Sequence, residues 1–308
     1  MSEAISTQMR ILAAIVTFNR RDLLSRCIDQ IQNQTRQVDD ILVINNGSTD
    51  DTLKMLTERG IDVISQPNLG SAGGWNRAIR HCLDFGYDAI WLMDDDGFPD
   101  SNALDLLVSE IKAGISCASS VVVQENRPEK FVFPFPMLDK DGLPVICSFP
   151  RKLKTLPELR AKSISNTYPF AHLFNGALIQ ATAIRQIGNV NPRYFLAGDE
   201  IDYFFRLRSF GPVVSVLAAR HFHPDVSARP FSTVKTYYYI RNSIILNRRY
   251  FNNVVLRDCL TLIAAISRVM LRNGIKEGLS YLAGRKLSVL LQAVRAGLED
   301  QLGSEFHG

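Results

Sequence analysis

The sequence predicts an α/β protein whose mostly parallel sheet carries helices on both faces, followed by a helical C-terminal region. From residue 10 to residue 97, apolar runs of strand length alternate with segments in which apolar residues recur at helical spacing. Such alternation is typical of parallel βαβ units. From about residue 236 the apolar residues recur at helical spacing to the end of the chain.

The first third of the chain contains the clearest elements. Residues 10–18 form an apolar run rich in β-branched side chains, which predicts a buried strand, and residues 21–34 have the spacing of a helix. Further strands are expected at 39–46, 61–67 and 88–97, and further helices at 51–60 and 71–86. Ser48 or Thr49 is predicted to cap the helix 51–60.

Residues 124–170 depart from this alternation. Prolines recur there among basic residues, which predicts an irregular excursion with a hairpin at 139–142. The expected organisation is a large domain over 1–235, with halves at about 9–123 and 165–235, and a helical region over 236–308.

Composition sets broad limits on function. The 308 residues are 46% hydrophobic with a formal net charge of +4, which is ordinary for a globular protein and gives no argument for nucleic-acid binding. The N-terminal residues 1–10 lack the apolar segment of a secretory signal, and no run of about 18 uncharged apolar residues predicts a spanning helix. The scattered cysteines, without a CxxC pair, argue against a zinc site and a disulfide framework and favour a reducing cytoplasm. They are Cys27, Cys82, Cys117, Cys147 and Cys259.

Polar residues follow four of the predicted strands, at the points where these strands end. The clusters lie at 17–19, 45–48, 66–68 and 94–96. Ligands of open α/β sheets bind beyond the carboxyl ends of the strands, so these clusters should converge on one crevice. Four polar strand ends in one crevice predict a nucleotide site.

Three consecutive acids, Asp94, Asp95 and Asp96, follow an apolar run. Such carboxylates repel one another unless a cation or water relieves them, and oxygen ligands of this kind suit Mg²⁺ or Mn²⁺ bridging a diphosphate. On an extended chain Asp94 and Asp96 point to one side and Asp95 to the other, so Asp94 and Asp96 are the predicted pair for nucleotide and metal. The alternative is a solvated acidic turn that caps the following helix.

A second acidic group, Asp199, Glu200 and Asp202, opens a predicted helix that ends at Gly211. Acids at a helix start cap its amides and interact well with the macrodipole, which is one interpretation. The other is a general base that deprotonates an acceptor hydroxyl. Asp202 lies one turn before Arg206, so either a structural ion pair or an acceptor-binding role is predicted for it.

His221 and His223 lie two residues apart and share one face of an extended chain. A lone histidine is more often a hydrogen-bonded polar residue than a metal ligand. Two histidines this close favour a role in completing the metal site through imidazole nitrogen. Both are therefore predicted ligands beside Asp94 and Asp96.

Six segments of the chain, taken together in their order, carry a family resemblance. The segments are AIVTFNRRDLLSRCIDQI, ILVINNGSTDDT, QPNLGSAGGWNRAI, WLMDDDGFPD, FNGALIQATAIRQIGNVNPRYFLAGDEIDYFFRLRSFG and YYYIRN. Over roughly residues 9–245 they resemble the inverting family 2 glycosyltransferases of GT-A fold, and the last segment resembles a motif of rhamnosyl- and galactofuranosyl-transferase-like members. The resemblance implies a GT-A fold and a metal-dependent transfer of a sugar from a nucleotide-sugar donor to an acceptor hydroxyl.

The resemblance also implies roles for individual residues. Asn45 stands where the family usually has an aspartate that contacts the base, and Asp96 would bind the metal. In the family's Glu-Asp-x-Asp block the second acid is the base, so Glu200 is the candidate base; because the two acids are exchanged in order here, Asp199 is its rival. Trp75 would line the sugar and acceptor pocket, with a buried core aromatic as the alternative. The implied donor-binding positions are Thr17, Asn19, Arg20, Asn45, Asn68, Gly70, Gly73, Gly74, Asn76, Asp94 and Asp95.

The implied reaction is a single displacement that inverts the anomeric centre without a covalent enzyme intermediate. The resemblance favours UDP-galactofuranose or dTDP-rhamnose as donor, and a glycan or lipid-linked acceptor in cell-envelope polysaccharide synthesis. One alternative is a nucleotidyltransferase, against which the lack of glycines in TFNRRDLL after the first strand argues. The other is an inactive nucleotide- or sugar-binding module.

The tail 246–308 mixes basic residues with apolar residues at helical spacing. Amphipathic basic helices of this kind can lie on an anionic membrane surface, here the inner face of the cytoplasmic membrane. The alternative is a helical subdomain packed on the core or on the second subunit of a homo-oligomer.

Overall fold

The computed structural model describes residues 9–304 other than 113 and 147, together with residue 306. The expectations for residues 1–8 and for Cys147 lie outside these residues. The strands are β1 Ile11–Thr17, β2 Asp40–Asn45, β3 Asp62–Ser65, β4 Ala89–Asp94, β5 Phe98–Pro99, β6 Cys117–Gln124, β7 Arg127–Pro136, β8 Lys152–Thr155, β9 Thr167–Tyr168, β10 Asn175–Gln180 and β11 Val213–His223. The helices are α1 Arg21–Gln32, α2 Thr52–Glu58, α3 Gly70–Asp84, α4 Ala103–Lys112, α5 Leu156–Arg160, α6 Ala181–Ile187, α7 Asp199–Phe210, α8 Thr233–Tyr250, α9 Val254–Asn273, α10 Ile275–Ala283 and α11 Leu287–Leu298.

The main path of the sheet has the strand order β3-β2-β1-β4-β10-β6-β11-β5. Strand β1 is parallel to both β2 and β4, and β2 is parallel to β3, whereas β10 runs antiparallel between β4 and β6. The first part of the sheet is therefore parallel, as the alternation of strands and helices predicted. The carboxyl ends of β1, β2 and β4 meet at one edge, where ligands of such sheets bind.

Strand β1 is buried on both faces, and its side chains divide between two hydrophobic cores. Ile15 belongs to the core that contains Leu24 of α1 and Leu104 of α4, whereas the adjacent Val16 belongs to the core that contains Trp75 of α3. Successive side chains of a strand point to opposite faces, so helices cover the sheet on both sides. This burial explains why the strand is apolar throughout.

Helix α2 begins differently from the prediction. Its N-cap residue is Asp51, whose side chain makes no capping hydrogen bond. Ser48 Oγ instead accepts a hydrogen bond from Asn19 N at 2.9 Å, and Thr49 N donates to Asn19 Oδ1 at 2.7 Å. The predicted cap by Ser48 or Thr49 is therefore wrong, because these residues join the turn after β2 to the turn after β1.

Residues 124–170 are more regular than predicted. They contain the ten-residue strand β7, which pairs with β6 and β8, and the helix α5. The register between β7 and β8 shifts ahead of Phe135, and this irregularity accommodates Pro134, which has no amide hydrogen to donate. The predicted hairpin is present and is closed by a hydrogen bond from Gly142 N to Asp139 O at 3.0 Å.

Helices α8 to α11 form the C-terminal region. Helix α8 begins at Thr233, so the predicted division at 235/236 falls inside this helix. A core shared by α8, α9 and α11 includes Ile244, Ala265 and Ala293. Over the part of the chain that the structure describes, no helix combines the length and the apolar character needed to span a membrane. Among the described residues four cysteines are free: Cys27, Cys82, Cys117 and Cys259.

Candidate active site

Two adjoining cavities lie beyond the carboxyl ends of β1 and β4, and together we call them the crevice. The first cavity has a volume of about 600 Å³ and contains Asp94, Asp95 and Asp96 in its wall. The second has a volume of about 420 Å³ and contains Asp199 and Glu200. Six residues border both cavities, so the two acidic clusters, distant in sequence, face one continuous space. These six are Ser71, Asp94, Phe133, Leu196, Phe231 and Lys235.

Strand β4 ends at Asp94, and the chain turns directly after it. The alternation predicted for an extended chain therefore does not reach Asp95 and Asp96. Arg20 Nη1 lies 2.7 Å from Asp95 Oδ1 and 2.9 Å from Asp96 Oδ2, so both carboxylates face the same guanidinium. Thr17 Oγ1 donates a further hydrogen bond to Asp95 Oδ2 at 2.8 Å. The prediction that Asp95 points away from its neighbours is wrong because the strand is shorter than expected.

Asp96 is buried and surrounded by cationic groups. His223 Nε2 lies 2.9 Å from Asp96 Oδ1, and Arg229 Nη1 donates to Asp96 Oδ2 at 2.9 Å. Burial opposes ionisation of this carboxyl group, but the hydrogen bond and charge of His223 and the charge of Arg20 outweigh it and lower the pKa of Asp96. Asp96 is therefore held as a carboxylate.

Asp94 borders both cavities and has the opposite electrostatic setting. Burial raises the pKa of Asp94 well above its ordinary value, and the charges of Asp96 and Asp95 raise it further. A cation beside Asp94 would relieve both effects.

His221 does not reach the crevice. It is fully buried, and among the described residues neither ring nitrogen has a hydrogen-bond partner. A Cβ atom on Gly97 would lie 2.3 Å from His221 Nε2, and one on Gly176 would lie 3.1 Å from Nδ1, so backbone encloses the ring on both sides. Burial lowers the pKa of His221 to about 3. Of the two histidines predicted as ligands, the structure brings only His223 to the acidic cluster.

Asp199 and Glu200 open α7, and no Lys or Arg side chain of the described residues forms an ion pair with either carboxylate. His172 Nδ1 lies 4.0 Å from Glu200 Oε1, but burial lowers the pKa of this histidine to about 4, so it is neutral near pH 7. Asp199 Oδ2 accepts a hydrogen bond from Ser71 Oγ at 3.3 Å, and Glu200 Oε1 accepts one from Leu173 N at 2.7 Å. Burial raises the pKa of Asp199 to about 6. Burial and the neighbouring charge of Asp199 raise the pKa of Glu200 to about 7. A carboxyl group with a pKa near neutrality is suited to accept a proton from a substrate.

The loop 194–198, which leads into these acids, has an unusual backbone. Phe195 and Ala197 have φ angles of 63° and 62°, a left-handed conformation that side chains rarely adopt. Asn242 of α8 holds this loop, because its Nδ2 lies 3.2 Å from Tyr194 O and 3.0 Å from Leu196 O.

Arg241, the residue before Asn242, strengthens the same attachment. Its Nε donates to Asn242 Oδ1 at 2.8 Å, and its Nη2 donates to Tyr194 O at 3.2 Å. The guanidinium also lies over the ring of Tyr238, 4.6 Å from its centroid. The Arg-Asn pair of the segment YYYIRN therefore positions the loop that carries the catalytic candidates.

Asp202 lies away from the crevice, in the interface of α7 with α8. Its carboxylate accepts hydrogen bonds from Tyr250 Oη at 2.8 Å, Tyr194 Oη at 3.2 Å and Arg206 Nε at 2.9 Å. The predicted ion pair with Arg206 is present, whereas the predicted acceptor-binding role does not fit a carboxylate that is 4% exposed and already bonded on both oxygens.

Several residues predicted to bind the donor instead make hydrogen bonds that connect parts of the fold. Asn45 Oδ1 accepts from Ser48 N at 2.9 Å within the turn after β2. Asn76 Nδ2 donates to Val190 O at 2.7 Å, which ties α3 to the segment before the acidic loop. Asn45, Asn76 and Asn19 do not border the crevice, and Asn19 instead lines a separate cavity at the start of α1.

The predicted glycines serve close packing. A Cβ atom on Gly74 would lie 2.5 Å from Val16 Cγ1, and one on Gly73 would lie 2.5 Å from Leu69 Cβ. Gly74 lets α3 approach β1, Gly73 leaves room for Leu69 at the start of the same helix, and neither of these glycines borders the crevice. Gly70 does border the crevice, with φ of 73°, and a Cβ atom there would lie 2.1 Å from Phe195 O.

Asn68 and Trp75 keep a place at the crevice. Asn68 borders the first cavity, and its Oδ1 accepts from Gly70 N at 3.0 Å. Trp75 is fully buried yet forms part of the wall of the second cavity, stacked on Phe174 with ring centroids 4.7 Å apart. Both interpretations of Trp75, as core aromatic and as pocket wall, thus describe the same side chain.

Three basic residues of the crevice were missed by the sequence analysis: Arg229, Lys235 and Arg272. Arg272, on α9, also donates to Arg229 O at 3.4 Å. Burial and the charges of Arg229 and Arg20 lower the pKa of Lys235. For Arg272 the signal in the sequence was the basic character of the tail 246–308, which predicted a membrane surface or a packed helical subdomain; Arg229 and Lys235 precede this tail.

The residues at the acidic cluster fit a divalent cation. Asp94, Asp96 and His223 offer carboxylate oxygen and imidazole nitrogen, the donor types that Mn²⁺ accepts. Arg20 and Arg229 already place positive charge on Asp96, and Arg20 also on Asp95, which shows where a cation is stabilised. The described residues nevertheless contain no group of three or more His, Cys, Asp or Glu side chains arranged as a formed metal site.

The chain is similar in sequence to characterised glycosyltransferases. It matches the sequence profile described as Glycosyl transferase family 2 over residues 13–173. Galactofuranosyltransferase GlfT1 of Mycolicibacterium smegmatis is 33% identical over 224 residues, which cover 70% of each chain. GlfT1 of Mycobacterium tuberculosis is 33% identical over 223 residues, again 70% of each chain.

Solved structures share the fold at lower sequence identity. The mannosyltransferase PcManGT from Pyrobaculum calidifontis, in complex with GDP-Man and Mn²⁺, gives a TM-score of 0.53 at 16% identity, covering 95% of this chain and 81% of that chain. GalNAc-T7 with UDP, GalNAc and Mn²⁺ gives a TM-score of 0.57 at 14% identity and covers 78% of this chain, which spans only 48% of that protein. The predicted GT-A fold and transferase class are confirmed. The profile match and the relatives at 33% identity together establish that this chain belongs to glycosyl transferase family 2.

Proposed function

We propose that this enzyme transfers galactofuranose from UDP-galactofuranose to a hydroxyl group of a glycan or lipid-linked acceptor in cell-envelope polysaccharide synthesis. The observation that carries the proposal is the single crevice onto which both acidic clusters open, one paired with arginine side chains and the other paired with none among the described residues. The names of the relatives favour galactofuranose over rhamnose as the donor sugar. The acceptor is proposed only as a class.

The donor's diphosphate would bind in the first cavity. Arg229, Lys235 and Arg272 give this cavity the positive charge that phosphate oxygens require. Asp94, Asp96 and His223 would hold a Mn²⁺ or Mg²⁺ ion, which when bound supplies Lewis-acid neutralisation of the departing diphosphate.

The acceptor would bind in the second cavity, with its hydroxyl group at Glu200. The Glu200 carboxylate accepts the hydroxyl proton, the hydroxyl oxygen attacks the anomeric carbon, and the nucleoside diphosphate leaves from the opposite side. Glu200 is preferred to Asp199 as the base because its side chain is 28% exposed and its pKa, about 7, lies closer to neutrality. Asp199 then raises the basicity of Glu200 through its charge.

The alternatives from the sequence are less well supported. A nucleotidyltransferase does not account for a match to the family 2 glycosyltransferase profile. An inactive binding module has no need for a carboxyl group whose pKa is raised to about 7 inside the crevice.

Substitution of the acidic cluster tests the proposed function. Asp96→Ala should abolish metal-dependent cleavage of UDP-galactofuranose, measured as UDP release with Mn²⁺ present. The exposed Asp105→Ala, on α4, is the matched control and should cleave at the wild-type rate. Near-normal turnover by Asp96→Ala would reject its proposed role, and absence of cleavage by the wild-type protein with any UDP- or dTDP-sugar would reject the donor class.

We also propose that the C-terminal helices rest on the inner face of the cytoplasmic membrane. Large apolar side chains there are strongly exposed, with Val255 77%, Leu271 87% and Ile275 68% accessible. Basic residues are interspersed among them, as in helices that bind anionic lipid surfaces.

Point substitutions test this location without removing Arg272 from the crevice. Leu271→Glu with Ile275→Glu should reduce flotation with vesicles that contain anionic lipid, whereas Leu53→Glu on α2 should not. Unchanged flotation would contradict membrane binding. If the double variant floats like the wild type but has a lower molar mass in light scattering, this face is instead a subunit interface of a homo-oligomer.

A further inference from the structure

Strand β10 begins with a β-bulge, directly beside the crevice. Asn175 pairs with Met93 of β4 and Ala177 pairs with Leu92, so Gly176 is an extra residue on β10. The φ angle of Gly176 is 91°, a conformation that residues with a side chain rarely adopt. Bulges beside active sites re-aim a side chain, and here that side chain is Asn175, which borders the second cavity of the crevice.

The side-chain amide of Asn175 is buried and unpaired. The residue is 5% exposed, its Oδ1 has no hydrogen-bond partner, and none of the hydrogen bonds among the described residues involves its Nδ2. A buried amide without a partner costs free energy, so its presence calls for a reason. Rotation about the terminal torsion exchanges the oxygen and the nitrogen, so the amide can present either an acceptor or a donor to the cavity.

The other asparagines that border the crevice, within the described part of the chain, are used by the fold. Asn46 Nδ2 donates to Gly70 O at 3.1 Å, and Asn68 Oδ1 accepts from Gly70 N at 3.0 Å. Asn242 Nδ2 donates to three carbonyl groups of the loop that leads into α7. Asn175 differs from all three, because no part of the fold occupies its amide and a ligand can.

The backbone next to Asn175 connects the two acidic clusters. Leu173 N donates to Glu200 Oε1 at 2.7 Å, and Asp94 N donates to Phe174 O at 2.8 Å. Asn175 follows directly, close to Asp94, which borders both cavities. The sugar in transfer has to occupy this part of the crevice, because its anomeric carbon is bonded to the diphosphate before the reaction and to the acceptor oxygen after it.

We propose that Asn175 determines sugar specificity, its amide forming a hydrogen bond with a hydroxyl group of the sugar that is transferred. The inference rests on the proposed function and names the residue that recognises the donor's sugar. A neutral amide matches a neutral hydroxyl group, whereas phosphate oxygens are matched by Arg229 and Arg272 in the first cavity. A site that hydrogen-bonds a substrate hydroxyl discriminates strongly against analogues that lack it.

Calorimetry on the full-length protein with Mn²⁺ separates recognition of the sugar from recognition of the nucleotide. We expect Asn175→Ala to weaken binding of UDP-galactofuranose about five- to tenfold, the loss typical of one hydrogen bond, and to leave the affinity for UDP unchanged. Asn175→Ser, which keeps a hydrogen-bonding group, should have an intermediate affinity for UDP-galactofuranose. An equal loss of affinity for both ligands, or no loss for either, would overturn the proposal.

Melting temperatures without ligand distinguish this role from a structural one. Asn247 on α8 is a buried asparagine outside the crevice, and its Nδ2 donates to Asp258 Oδ1 at 2.9 Å. Asn247→Ala, the matched control, should lower the melting temperature and leave both affinities unchanged. Asn175→Ala removes an amide that is unpaired in the ligand-free protein, so the melting temperature should not fall. A fall as large as that of Asn247→Ala would contradict the proposal, because the amide would then support the fold.

Monodeoxy analogues of UDP-galactofuranose identify the hydroxyl group that Asn175 recognises. The wild-type protein should bind one analogue about as weakly as Asn175→Ala binds the parent donor, and Asn175→Ala should lose nothing further with that analogue, because the same hydrogen bond is missing in both cases. Additive losses with every analogue would overturn the proposal. If the wild-type protein does not bind UDP-galactofuranose at all, the proposed donor is wrong and this assignment falls with it, whereas binding that the Asn175 variants share unchanged overturns the assignment alone.

Discussion

The two acidic clusters of the crevice contain the same functional group in contrasting surroundings. Asp96 is bonded to His223, Arg20 and Arg229, and its pKa is lowered. Glu200 is hydrogen-bonded to a backbone amide, and burial beside Asp199 raises its pKa to about 7. Both side chains are largely removed from water, so burial alone does not decide the protonation state. The placement of nearby charge decides it, because this placement makes Asp96 a permanent anion and Glu200 an exchangeable proton site.

Replacement of Glu200, the exchangeable proton site, should have the largest effect on kcat. Glu200→Gln retains the shape of the side chain and an oxygen for the hydrogen bond from Leu173 N, but it cannot accept a proton. We expect kcat to fall about 10²- to 10⁴-fold, the range typical of a lost general base, in a steady-state transfer assay. A fall of less than threefold, or a larger fall in Asp199→Asn, would exchange the roles of the two acids.

Release of the loop 194–198, which leads into Asp199 and Glu200, should have the next largest effect on kcat. Asn242→Ala removes the hydrogen bonds to Tyr194 O and Leu196 O, so Phe195 and Ala197 lose the contacts that hold their left-handed backbone. We expect kcat to fall about tenfold, with a displaced midpoint of the pH–rate profile, since Glu200 moves relative to Asp199. Thr236→Val, which also removes one buried hydrogen bond from α8, is the control and should lower only the melting temperature. A normal pH profile for Asn242→Ala would mean that its role is confined to stability.

Because the pKa of Glu200 is raised, its ionised carboxylate should also lower the free energy of unfolding of the protein. The folded state holds the proton more tightly than the unfolded state, so stability falls as pH rises from about 4.5 to about 7 and stays low above that. Glu200→Gln should therefore raise the free energy of unfolding by about 1 to 3 kcal/mol at pH 8, with little difference at pH 4. Urea unfolding at both pH values measures this. The exposed Glu129→Gln should show no such pH-dependent gain.

Removal of the charge of Asp199 should have the smallest effect, which is expected in the pH dependence of kcat/KM. In Asp199→Asn the negative neighbour of Glu200 is gone but burial remains, so the pKa of Glu200 should fall only part of the way from about 7 towards its ordinary value. The acidic limb of the kcat/KM profile should shift to lower pH by less than about one unit. A shift to higher pH would contradict the assigned electrostatic coupling.

The first part of the sheet was predictable because each element leaves a local signal. Strand β1 is apolar at every position since both of its faces are buried, and Leu24, Cys27, Ile28 and Ile31 mark the inward face of α1. The acids at 94–96 and 199–200 could be found for the same reason, since a charged run directly after a buried strand or at a helix start is conspicuous in sequence.

The remainder depended on contacts between distant residues. Nothing near Arg229 in sequence indicates that it meets Asp96 across the crevice. Nothing near Arg272 indicates that it borders the same cavity, because α9 reaches the crevice only through the packing of the C-terminal helices. His221 and His223 look equivalent in sequence, yet glycine backbone encloses the first and Asp96 contacts the second. Asn242 stood in a segment that resembled the family, but its three carbonyl partners belong to a loop whose backbone conformation no local pattern indicates.

The close contact between the start of α3 and the loop 194–198 links the two halves of the enzyme. Ala72 N donates to Phe195 O at 3.4 Å, and Ser71 Oγ reaches the carboxylate of Asp199. The backbone of α3 at the first cavity and the backbone of the loop that leads into Asp199 and Glu200 are therefore in direct contact. A substrate that displaces α3 when it binds in one cavity must also displace the loop 194–198 at the other cavity. We therefore expect the two substrates to bind in a compulsory order rather than at random.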